Sequence, residues 1–306
     1  MKIAVTGGTG FVGHALTKEL IQNGHEVFIL TRNIDGKENK KSITYVQWLN
    51  EGDRPWEILE DVDVFINLAG ESINSGRWSE KRKKSILESR ISATNEVEKI
   101  LSRLKKKPEV LIQASAVGYY GISDSETFTE ESNLAGDDFL ARTVQQWEET
   151  AWKVKDLGIR TVYCRFGIIL DDIDGALPRI TLPYKAFAGG TVGSGHQWVS
   201  WIHLKDVIGG ILFVIANQHV KGPVNFTAPN PVKMEEFGQT LGKVLQRPHW
   251  IPAPRIALKI ALGEMSILVL EGQKVLPQKL LAHGYSFLYK DLKNALEDIY
   301  NSKSFN

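Results

Sequence analysis

The chain has 306 residues, of which 42% are hydrophobic and 24% charged, the composition of an ordinary globular protein with one large or two smaller domains. Its net charge of +1 gives no basic field that would attract nucleic acid or an acidic membrane surface. The single cysteine, Cys164, excludes an intrachain disulfide and a metal site built from several cysteines. We expect Cys164 to pack as a small hydrophobe.

The most apolar internal run covers residues 207–216, about half the length that a membrane span requires. The first residues, MKIAVTGG, lack the apolar stretch of a signal peptide. We therefore predict a cytoplasmic protein with no membrane partner, no nucleic-acid partner and no bound metal.

The first half of the chain alternates short β-branched runs with longer amphipathic stretches. Strands are predicted at 2–6, 26–32, 43–48, 62–70, 109–116, 160–170 and 223–229. Helices are predicted at 12–23, 80–105, 138–155 and 206–218, the last with Asp206 as its N-cap. Apolar strands that alternate with helices indicate a parallel sheet covered on both faces. Right-handed crossovers then predict a Rossmann-type, doubly wound α/β fold.

The alternation breaks after Leu170, where glycine, proline and aromatic residues are mixed. Beyond Pro231, helical patterns are separated by proline-rich turns. We predict a nucleotide-binding Rossmann domain made of 1–170 and about 200–228. A smaller α/β region, about 171–199 with 229–306, is predicted to bind the substrate.

The sequence TGGTGFVG, residues 6–13, follows the first strand and opens the first helix. In such a loop Gly7 permits the tight turn, Gly10 lets the backbone approach a pyrophosphate, and Gly13 allows close packing of helix and strand. Amides at the helix N-terminus then face the phosphates. The pattern predicts a dinucleotide site, whose contacts also include Thr9, Phe11 and Val12.

The end of the second strand distinguishes NAD from NADP, because an acidic residue there binds the ribose hydroxyl of NAD and an arginine binds the 2′-phosphate of NADP. This strand ends in Thr31 and Arg32, whose guanidinium can bind phosphate with two hydrogen bonds. We predict NADP(H) rather than NAD. The alternatives are that Arg32 is a solvated surface charge and that Asp35, three residues later, selects NAD.

Several separated motifs resemble one family. TGGTGFVG, NLAG, the pair ASA and YYG, RFGIIL and SWIHLKDV are similar to segments of extended or atypical short-chain dehydrogenases/reductases, the NAD-dependent epimerase/dehydratase superfamily. More narrowly, NLAGESI, SAVGYYG, GSGHQWVSWIH and LEGQKVLPQKLLAHGYSF resemble the epimerase-family subgroup that is similar to SDR39-type NADP-dependent oxidoreductases. The resemblance covers essentially the whole chain.

The resemblance implies further cofactor contacts beyond the glycine loop and the Thr31–Arg32 pair. They are Asn67, Leu68, Ala69, Gly70, Glu71, Arg90, Ser115, Arg165, Gly167 and Ile168. For Arg90 the alternative is a salt bridge on the helix surface with Glu88 or Glu96.

The family also implies a catalytic Tyr-x-x-x-Lys pair, in which the lysine favours the tyrosinate. Only Tyr289 and Lys293 have that spacing, in a C-terminal segment that suits an ordinary amphipathic helix. The pair is expected on the helix at 138–155, where residues 139–140 and 143–144 are Phe, Leu, Thr and Val. The standard pair is therefore absent.

Ser115 and Tyr120 remain as catalytic candidates. Ser115 either polarises a substrate carbonyl or satisfies the backbone at a strand end. Tyr120 is the candidate for a substitute proton donor. His203 is expected to be packed and hydrogen-bonded. Trp198 and Trp201 either form a wall over the nicotinamide or pack between the two regions.

Two functions follow. The first is an NADP(H)-dependent oxidoreductase or epimerase-like enzyme that acts on an unknown small molecule, as a monomer or a homodimer. The alternative is a non-catalytic NADP(H)-binding regulator or sensor, because the Tyr-x-x-x-Lys pair is missing.

Overall fold

Seven parallel strands form the centre of the computed structural model, which describes residues 1–133 and 135–301. Their order across the sheet is β11-β7-β5-β4-β1-β2-β3. They are β1 (Lys2–Thr6), β2 (Glu26–Thr31), β3 (Ile43–Gln47), β4 (Val64–Asn67), β5 (Val110–Ala116), β7 (Arg160–Phe166) and β11 (Gly222–Phe226). Six short strands pair outside this sheet: β6 (Thr127–Phe128), β8 (Ile168–Leu170), β9 (Trp198–Val199), β10 (Trp201–His203), β12 (Val232–Lys233) and β13 (Lys274–Val275). This confirms the predicted doubly wound α/β fold.

Ten α-helices accompany the strands in the described residues. They are α1 (Phe11–Gln22), α2 (Glu80–Arg103), α3 (Phe139–Trp152), α4 (Leu177–Lys185), α5 (Leu204–Ala216), α6 (Met234–Leu245), α7 (Arg255–Leu262), α8 (Ile267–Leu270), α9 (Gln278–Ala282) and α10 (Leu292–Asn301). Short 3₁₀ helices lie at Pro55–Glu57, Val117–Tyr120, Lys153–Leu157 and Gly263–Ser266.

The chain reverses its direction of travel across the sheet between β1 and β4. After β1 it builds β2 and β3 on one side, and then returns to build β4, β5, β7 and β11 on the other. In an open parallel sheet, ligands bind at the carboxyl ends of the strands beside such a reversal. The fold therefore places the candidate site near Thr6 and Asn67, the last residues of β1 and β4.

Both faces of the sheet are covered, which explains why its strands are apolar throughout. Helices α1 and α5 pack on one face, where Cys164 is fully buried as predicted. Helix α2 packs on the other face through residues such as Val97 and Ile100.

Two local expectations are corrected. The predicted strand 160–170 is broken at Gly167, whose N–H donates to Phe226 O (3.0 Å), and so becomes β7 and β8. Asp206 is not an N-cap: His203 caps α5 by accepting from the Lys205 amide, and the buried Asp206 carboxylate accepts from the amides of Leu288 and Tyr289. The negative charge of a carboxylate in the first turn still interacts favourably with the positive end of the helix dipole.

A third apolar cluster joins α4, α6 and α10, with Trp201 fully buried among them. This cluster packs α10 against α4 and α6. The predicted division into a nucleotide-binding domain and a smaller substrate-binding region stays a prediction. The last five residues of that smaller region, 302–306, lie outside the described residues. In the described ranges, no helix has the length and apolar character that crossing a bilayer requires.

Candidate functional site

The ends of β1 and β4 are joined by a buried side-chain hydrogen bond. Thr6 Oγ1 donates to Asn67 Oδ1 at 2.6 Å, and both residues are fully buried. The same Thr6 oxygen accepts from the amides of Leu68 and Ala69 at 3.2 and 3.3 Å. These bonds hold the turn after β4 against the carboxyl end of β1.

The network continues away from the crevice. Asn67 Nδ2 donates to Gln113 Oε1 (2.9 Å) and to Thr94 Oγ1 (3.3 Å), and Trp147 Nε1 donates to the same Thr94 oxygen (3.0 Å). Buried polar groups are stable only when they are paired, and a satisfied network fixes one geometry. The floor of the candidate site is therefore rigid and spans β4, β5, α2 and α3.

The glycine loop depends on close approach of two backbones. Gly7 has φ of +66°, and a Cβ there would lie 2.7 Å from the carbonyl oxygen of Leu68. A Cβ on Gly13 would overlap the Gly7 carbonyl. Only glycine satisfies both positions, because each side chain would push the loop off the strands or off α1.

Helix α1 begins at Phe11 without a side-chain cap, and its N-cap residue is Gly10. The amides of the first turn of a helix have no partner inside the helix and carry the positive end of its dipole. The loop therefore presents an anion-binding helix end at the crevice between β1 and β4.

Arg32 follows β2 directly and its side chain is exposed. Its carbonyl accepts from Asn50 Nδ2 at 3.0 Å, which fixes its backbone. Within the described ranges its guanidinium has no hydrogen bond or ion pair. Asp35 lies in the loop beyond, where its amide donates to Asn33 Oδ1. The backbone of Arg32 is thus fixed, and its guanidinium is not engaged by any of the described residues.

Arg90 lies on α2 beneath the turn after β4. It donates to the carbonyls of Glu71 (3.0 Å) and Ile86 (2.9 Å), and its guanidinium stacks over the Trp147 ring at 5.1 Å. Burial lowers the pKa of Arg90 to about 10. The acids at 88 and 96 pair with Lys84 and Lys99 instead, so Arg90 is held at the cleft rather than on the helix surface.

Glu71 fixes the same turn from its other side. Its carboxylate accepts from Arg82 and from Ser85, and these bonds hold its pKa below the ordinary value. Its amide donates to Ser89 Oγ at 3.1 Å. The segment after β4 is thereby attached to the first turns of α2.

A cleft of about 390 Å³ opens at the carboxyl ends of the strands, beside the glycine loop. Phe11 and Arg90 line it near the loop, and Ala116 lines it at the end of β5. Its other lining residues are mostly apolar and include Ile122, Phe166, Gly167, Ile168, Trp198, Ile267 and Leu268. The cleft is continuous with the loop through Phe11.

Helix α3 presents an apolar face to this cleft. Leu140, Thr143, Val144 and Trp147 all line it. Leu140 and Val144 are one turn apart, and neither side chain can donate or accept a proton. The structure thus brings three of the four expected positions of the Tyr-x-x-x-Lys pair to the cleft, and only Thr143 among them carries a polar group, whose hydroxyl donates to the Phe139 carbonyl.

Ser115 lies beside the cleft in a buried cluster. Its Oγ donates to Glu148 Oε1 at 2.5 Å, and Arg165 donates to both oxygens of the same carboxylate, at 2.8 and 2.7 Å. Ser115 and Arg165 are only 3% and 4% exposed. Neither is among the described residues that line the cleft, where the next residue, Ala116, takes the place at the strand end.

Tyr120 belongs to the same cluster. Its hydroxyl donates to Asn225 Oδ1 (2.8 Å), its ring stacks on Phe128 (5.1 Å), and burial raises the pKa of its phenol. The Arg165 guanidinium lies 3.5 Å from the centre of the Tyr119 ring. The catalytic roles assigned to Ser115 and Tyr120 stay predictions, and both hydroxyls are engaged within the protein.

The far wall of the cleft comes from the C-terminal third of the chain. Ile267, Leu268 and residues 271–273 form a roof, and α7 extends it outward. Arg77 donates to the Ile260 carbonyl, and Lys83 pairs with Glu264 at 2.8 Å. These bonds join the segment just before the roof to the segment at the start of α2.

The other candidates separate. Trp198 lines the cleft and donates from Nε1 to the Asp124 carbonyl (3.1 Å), whereas Trp201 packs in the third apolar cluster. His203 is packed as expected, stacking on Tyr289 at 4.1 Å. Tyr289 therefore makes a packing contact with His203. It does not lie on α3, the helix that faces the cleft.

The sequence did not reveal the roof or the polar floor. Residues 267–273 come near the cleft only through the fold, and the local pattern of LEGQKVLP (270–277) does not indicate a cleft wall. Gln113 and Thr94 did carry a signal, since a glutamine inside an apolar strand and a threonine inside a helix, when buried, require hydrogen-bonding partners.

Comparison with known proteins places these features in a family. The model of the "NAD dependent epimerase/dehydratase family" matches residues 3–160, and that of "Domain of unknown function (DUF1731)" matches residues 253–299. The Epimerase family protein YfhF of Bacillus subtilis is 52% identical over 299 residues, covering 98% of each chain. Epimerase family protein SERP0438 of Staphylococcus epidermidis is 44% identical over 296 residues, covering 96% of this chain and 97% of that one.

Solved structures give the same result. Human epimerase family protein SDR39U1 (isoform 2), determined with NADPH, is 34% identical, with a TM-score of 0.87 and coverage of 98% of this chain and 99% of that one. A UDP-glucuronic acid 4-epimerase from Bacillus cereus, with UDP-glucuronic acid and NAD, is 18% identical with a TM-score of 0.79 over all of both chains, a likeness of fold. The predicted family resemblance is confirmed.

Proposed function

The chain belongs to the NAD dependent epimerase/dehydratase family, and we propose that it is an NADP(H)-dependent oxidoreductase acting on a small molecule. One observation carries the proposal. Phe11 belongs both to the first turn of α1, where the glycine loop presents its amides, and to the lining of the apolar cleft. A dinucleotide whose phosphates lie on that turn extends into the cleft.

The described residues fit such a cofactor. The loop glycines leave room for a pyrophosphate against the backbone, and the uncapped end of α1 attracts its charge. Ala69 and Gly70 follow the rigid floor, and Arg90 lies beside the inner end of the site. When bound, NADPH supplies a hydride to a substrate in the cleft.

The preference for NADP(H) rests on Arg32. Its exposed guanidinium is unengaged in the described part of the chain and stands at the end of β2, where a 2′-phosphate is bound in this fold class. That SDR39U1 was determined with NADPH supports the same choice. We further propose a reducing, cytoplasmic location, consistent with one buried, unpaired cysteine.

The alternative is a protein that binds NADP(H) without turning it over. The specific observation that favours it is the pair Leu140 and Val144 at the cleft, where a proton donor and its lysine are expected. A regulator of this kind would use the roof, joined to α2 by Lys83 and Glu264, to report occupancy.

Steady-state assays separate the two. Purified protein is mixed with NADPH and a panel of carbonyl compounds, and NADPH oxidation is compared between wild type and the Leu268→Asp variant, which places a charge in the roof. The enzyme hypothesis expects turnover that this variant abolishes while NADPH binding persists. Tight NADPH binding with no turnover of any compound would support the regulator instead.

A further inference from the structure

We infer, building on the proposed NADP(H) dependence, that the substrate is an uncharged conjugated carbonyl compound, an enone or a quinone, held between Ile122, Trp198 and Leu268. All three side chains line the cleft. The inference rests on what the cleft offers a ligand and on what it withholds.

The cleft offers apolar surface. Phe166 and Ile168 line its inner wall, and Ile267 and Leu268 line its roof. A ligand gains affinity there by removing apolar area from water. Trp198 adds aromatic surface to the wall, and Lys233 and Lys274 lie over its ring at 3.8 and 5.0 Å from the ring centre.

The cleft withholds charge. Its one lining cation within the described residues is Arg90, which already binds two carbonyls and the Trp147 face. Its lining acids are also engaged: Asp138 accepts two amide hydrogen bonds at the start of α3, and Glu271 pairs with Arg255. A diphosphate or carboxylate on the substrate would lose its hydration without gaining a partner.

The cations near the cleft are also engaged, and two of them, Lys233 and Lys274, lie over the Trp198 ring. Arg77 donates to the Ile260 carbonyl, Arg179 donates to the Asn74 carbonyl at 2.7 Å, and Lys83 pairs with Glu80 and Glu264. A sugar nucleotide that approached the mouth would have to displace these bonds. The cleft therefore selects against the charged substrates that the family name suggests.

The cleft also withholds a proton donor. Thr143 Oγ1 donates its hydrogen to the Phe139 carbonyl (2.8 Å), and Ser200 Oγ donates to the Gln273 carbonyl (2.8 Å). The side chains of Leu140 and Val144 have no acidic hydrogen. An alkoxide formed from a simple ketone is about as basic as hydroxide, so it needs a proton donor in contact with it.

A conjugated carbonyl compound does not have this requirement. It accepts a hydride from the reduced nicotinamide nucleotide and becomes an enolate or a phenolate, which then takes one proton from water, while the nucleotide leaves oxidised. The pKa of a phenol is about 10, so the anion is far less basic than an alkoxide. The hydrocarbon face of α3 thus becomes compatible with turnover.

The test compares three probes on the intact protein: 1,4-naphthoquinone, the saturated ketone 1-decalone, and UDP-glucose. Binding is measured by calorimetry with and without saturating NADP⁺, and NADPH oxidation is followed with the enzyme-free rate subtracted. We expect both bicyclic compounds to bind, only naphthoquinone to be reduced, and UDP-glucose not to bind. Ile122→Asp, at a position 45% exposed, should weaken naphthoquinone binding at least tenfold.

Leu182→Asp is the matched control, since Leu182 is 67% exposed on α4 and lies outside the cleft lining. It should leave naphthoquinone binding unchanged. Tighter binding of UDP-glucose than of naphthoquinone would overturn the substrate class, and reduction of decalone at a comparable rate would overturn the argument from the missing donor. If NADPH itself does not bind, the proposed function fails, and the calorimetry without nucleotide still decides whether the cleft takes apolar ligands.

Discussion

Ser115 Oγ donates a 2.5 Å hydrogen bond to the Glu148 carboxylate, which Arg165 holds from its other side with two more bonds. One carboxylate therefore joins β5, β7 and α3 immediately behind the cleft. The arrangement gives the serine of SAVGYYG a structural partner and leaves Ala116 at the position that faces the cleft.

Removal of this carboxylate should destabilise the fold. Glu148→Ala leaves the Arg165 guanidinium buried without its counter-ion, and we expect a loss of about 3–5 kcal/mol in the free energy of unfolding. Ser115→Ala removes one hydrogen bond to a charged group and should cost about 1.5–3 kcal/mol. Urea denaturation measures both.

The same variants test the catalytic prediction for Ser115. If its role is structural, Ser115→Ala retains NADPH affinity and turnover within about threefold at temperatures where it is folded. Loss of turnover with unchanged stability would restore Ser115 as a catalytic residue.

The fold was largely predictable because its signals are local. β1 was predicted at its observed bounds, since an unbroken apolar run followed by glycines indicates a buried strand and a turn. The break at Gly167 was not predictable in this way. It depends on a hydrogen bond to the carbonyl of Phe226, which lies 59 residues further along the chain.

The site was predictable only where a motif carries its own geometry. The glycine loop does so, because each glycine answers a steric demand of the turn. The motif SAVGYYG does not fix the direction of the Ser115 side chain, because its partner Glu148 lies 33 residues further along the chain. Adjacent residues of a strand point to opposite faces, so Ser115 lies in the buried cluster while its neighbour Ala116 lines the cleft.

The glycine loop can be tested with a matched pair. Gly7 and Gly24 both have positive φ, but a Cβ on Gly24 meets nothing within 4 Å, whereas on Gly7 it lies 2.7 Å from the Leu68 carbonyl oxygen. Each alanine substitution should cost about 1–2 kcal/mol for its backbone conformation. Only Gly7→Ala should also weaken NADPH binding, by tenfold or more, as measured by fluorescence titration. Equal affinities in the two variants would contradict the assignment of the loop.

His203 should make stability depend on pH. Burial lowers the pKa of His203 to about 4, although Asp298 acts in the opposite direction. The unfolded side chain titrates near 6.5, so between pH 6.5 and 4 the unfolded chain binds a proton that the native protein does not. The native state should therefore lose about 3 kcal/mol as the pH falls through this window.

The measurement is the free energy of unfolding at several pH values for wild type and His203→Gln. We expect His203→Gln to lose most of the change in the free energy of unfolding between pH 6.5 and 4. The matched variant His283→Gln, at an exposed position, should keep that change. A wild-type slope that persists in His203→Gln would assign the pH dependence to other groups.

Arg90 should be irreplaceable by lysine. Lysine keeps the charge but loses the planar stack on Trp147 and the two simultaneous bonds to the Glu71 and Ile86 carbonyls. We expect Arg90→Lys to lower stability by about 1–2 kcal/mol and to weaken NADPH binding. Arg103→Lys, which alters a similar stack on Trp56 at 4.3 Å on the same helix, should leave NADPH binding unchanged.

We propose that NADP(H) binds at the crevice between β1 and β4, through the glycine loop and through Arg32 at the end of β2. The most direct test is the ratio of the dissociation constants of NADH and NADPH, measured by titration for wild type, Arg32→Ala and the exposed control Arg54→Ala. We expect wild type and Arg54→Ala to prefer NADPH by tenfold or more, and Arg32→Ala to lose that preference through weaker NADPH binding alone. An NADPH preference that survives in Arg32→Ala, or no binding of either nucleotide to wild type, would contradict the claim.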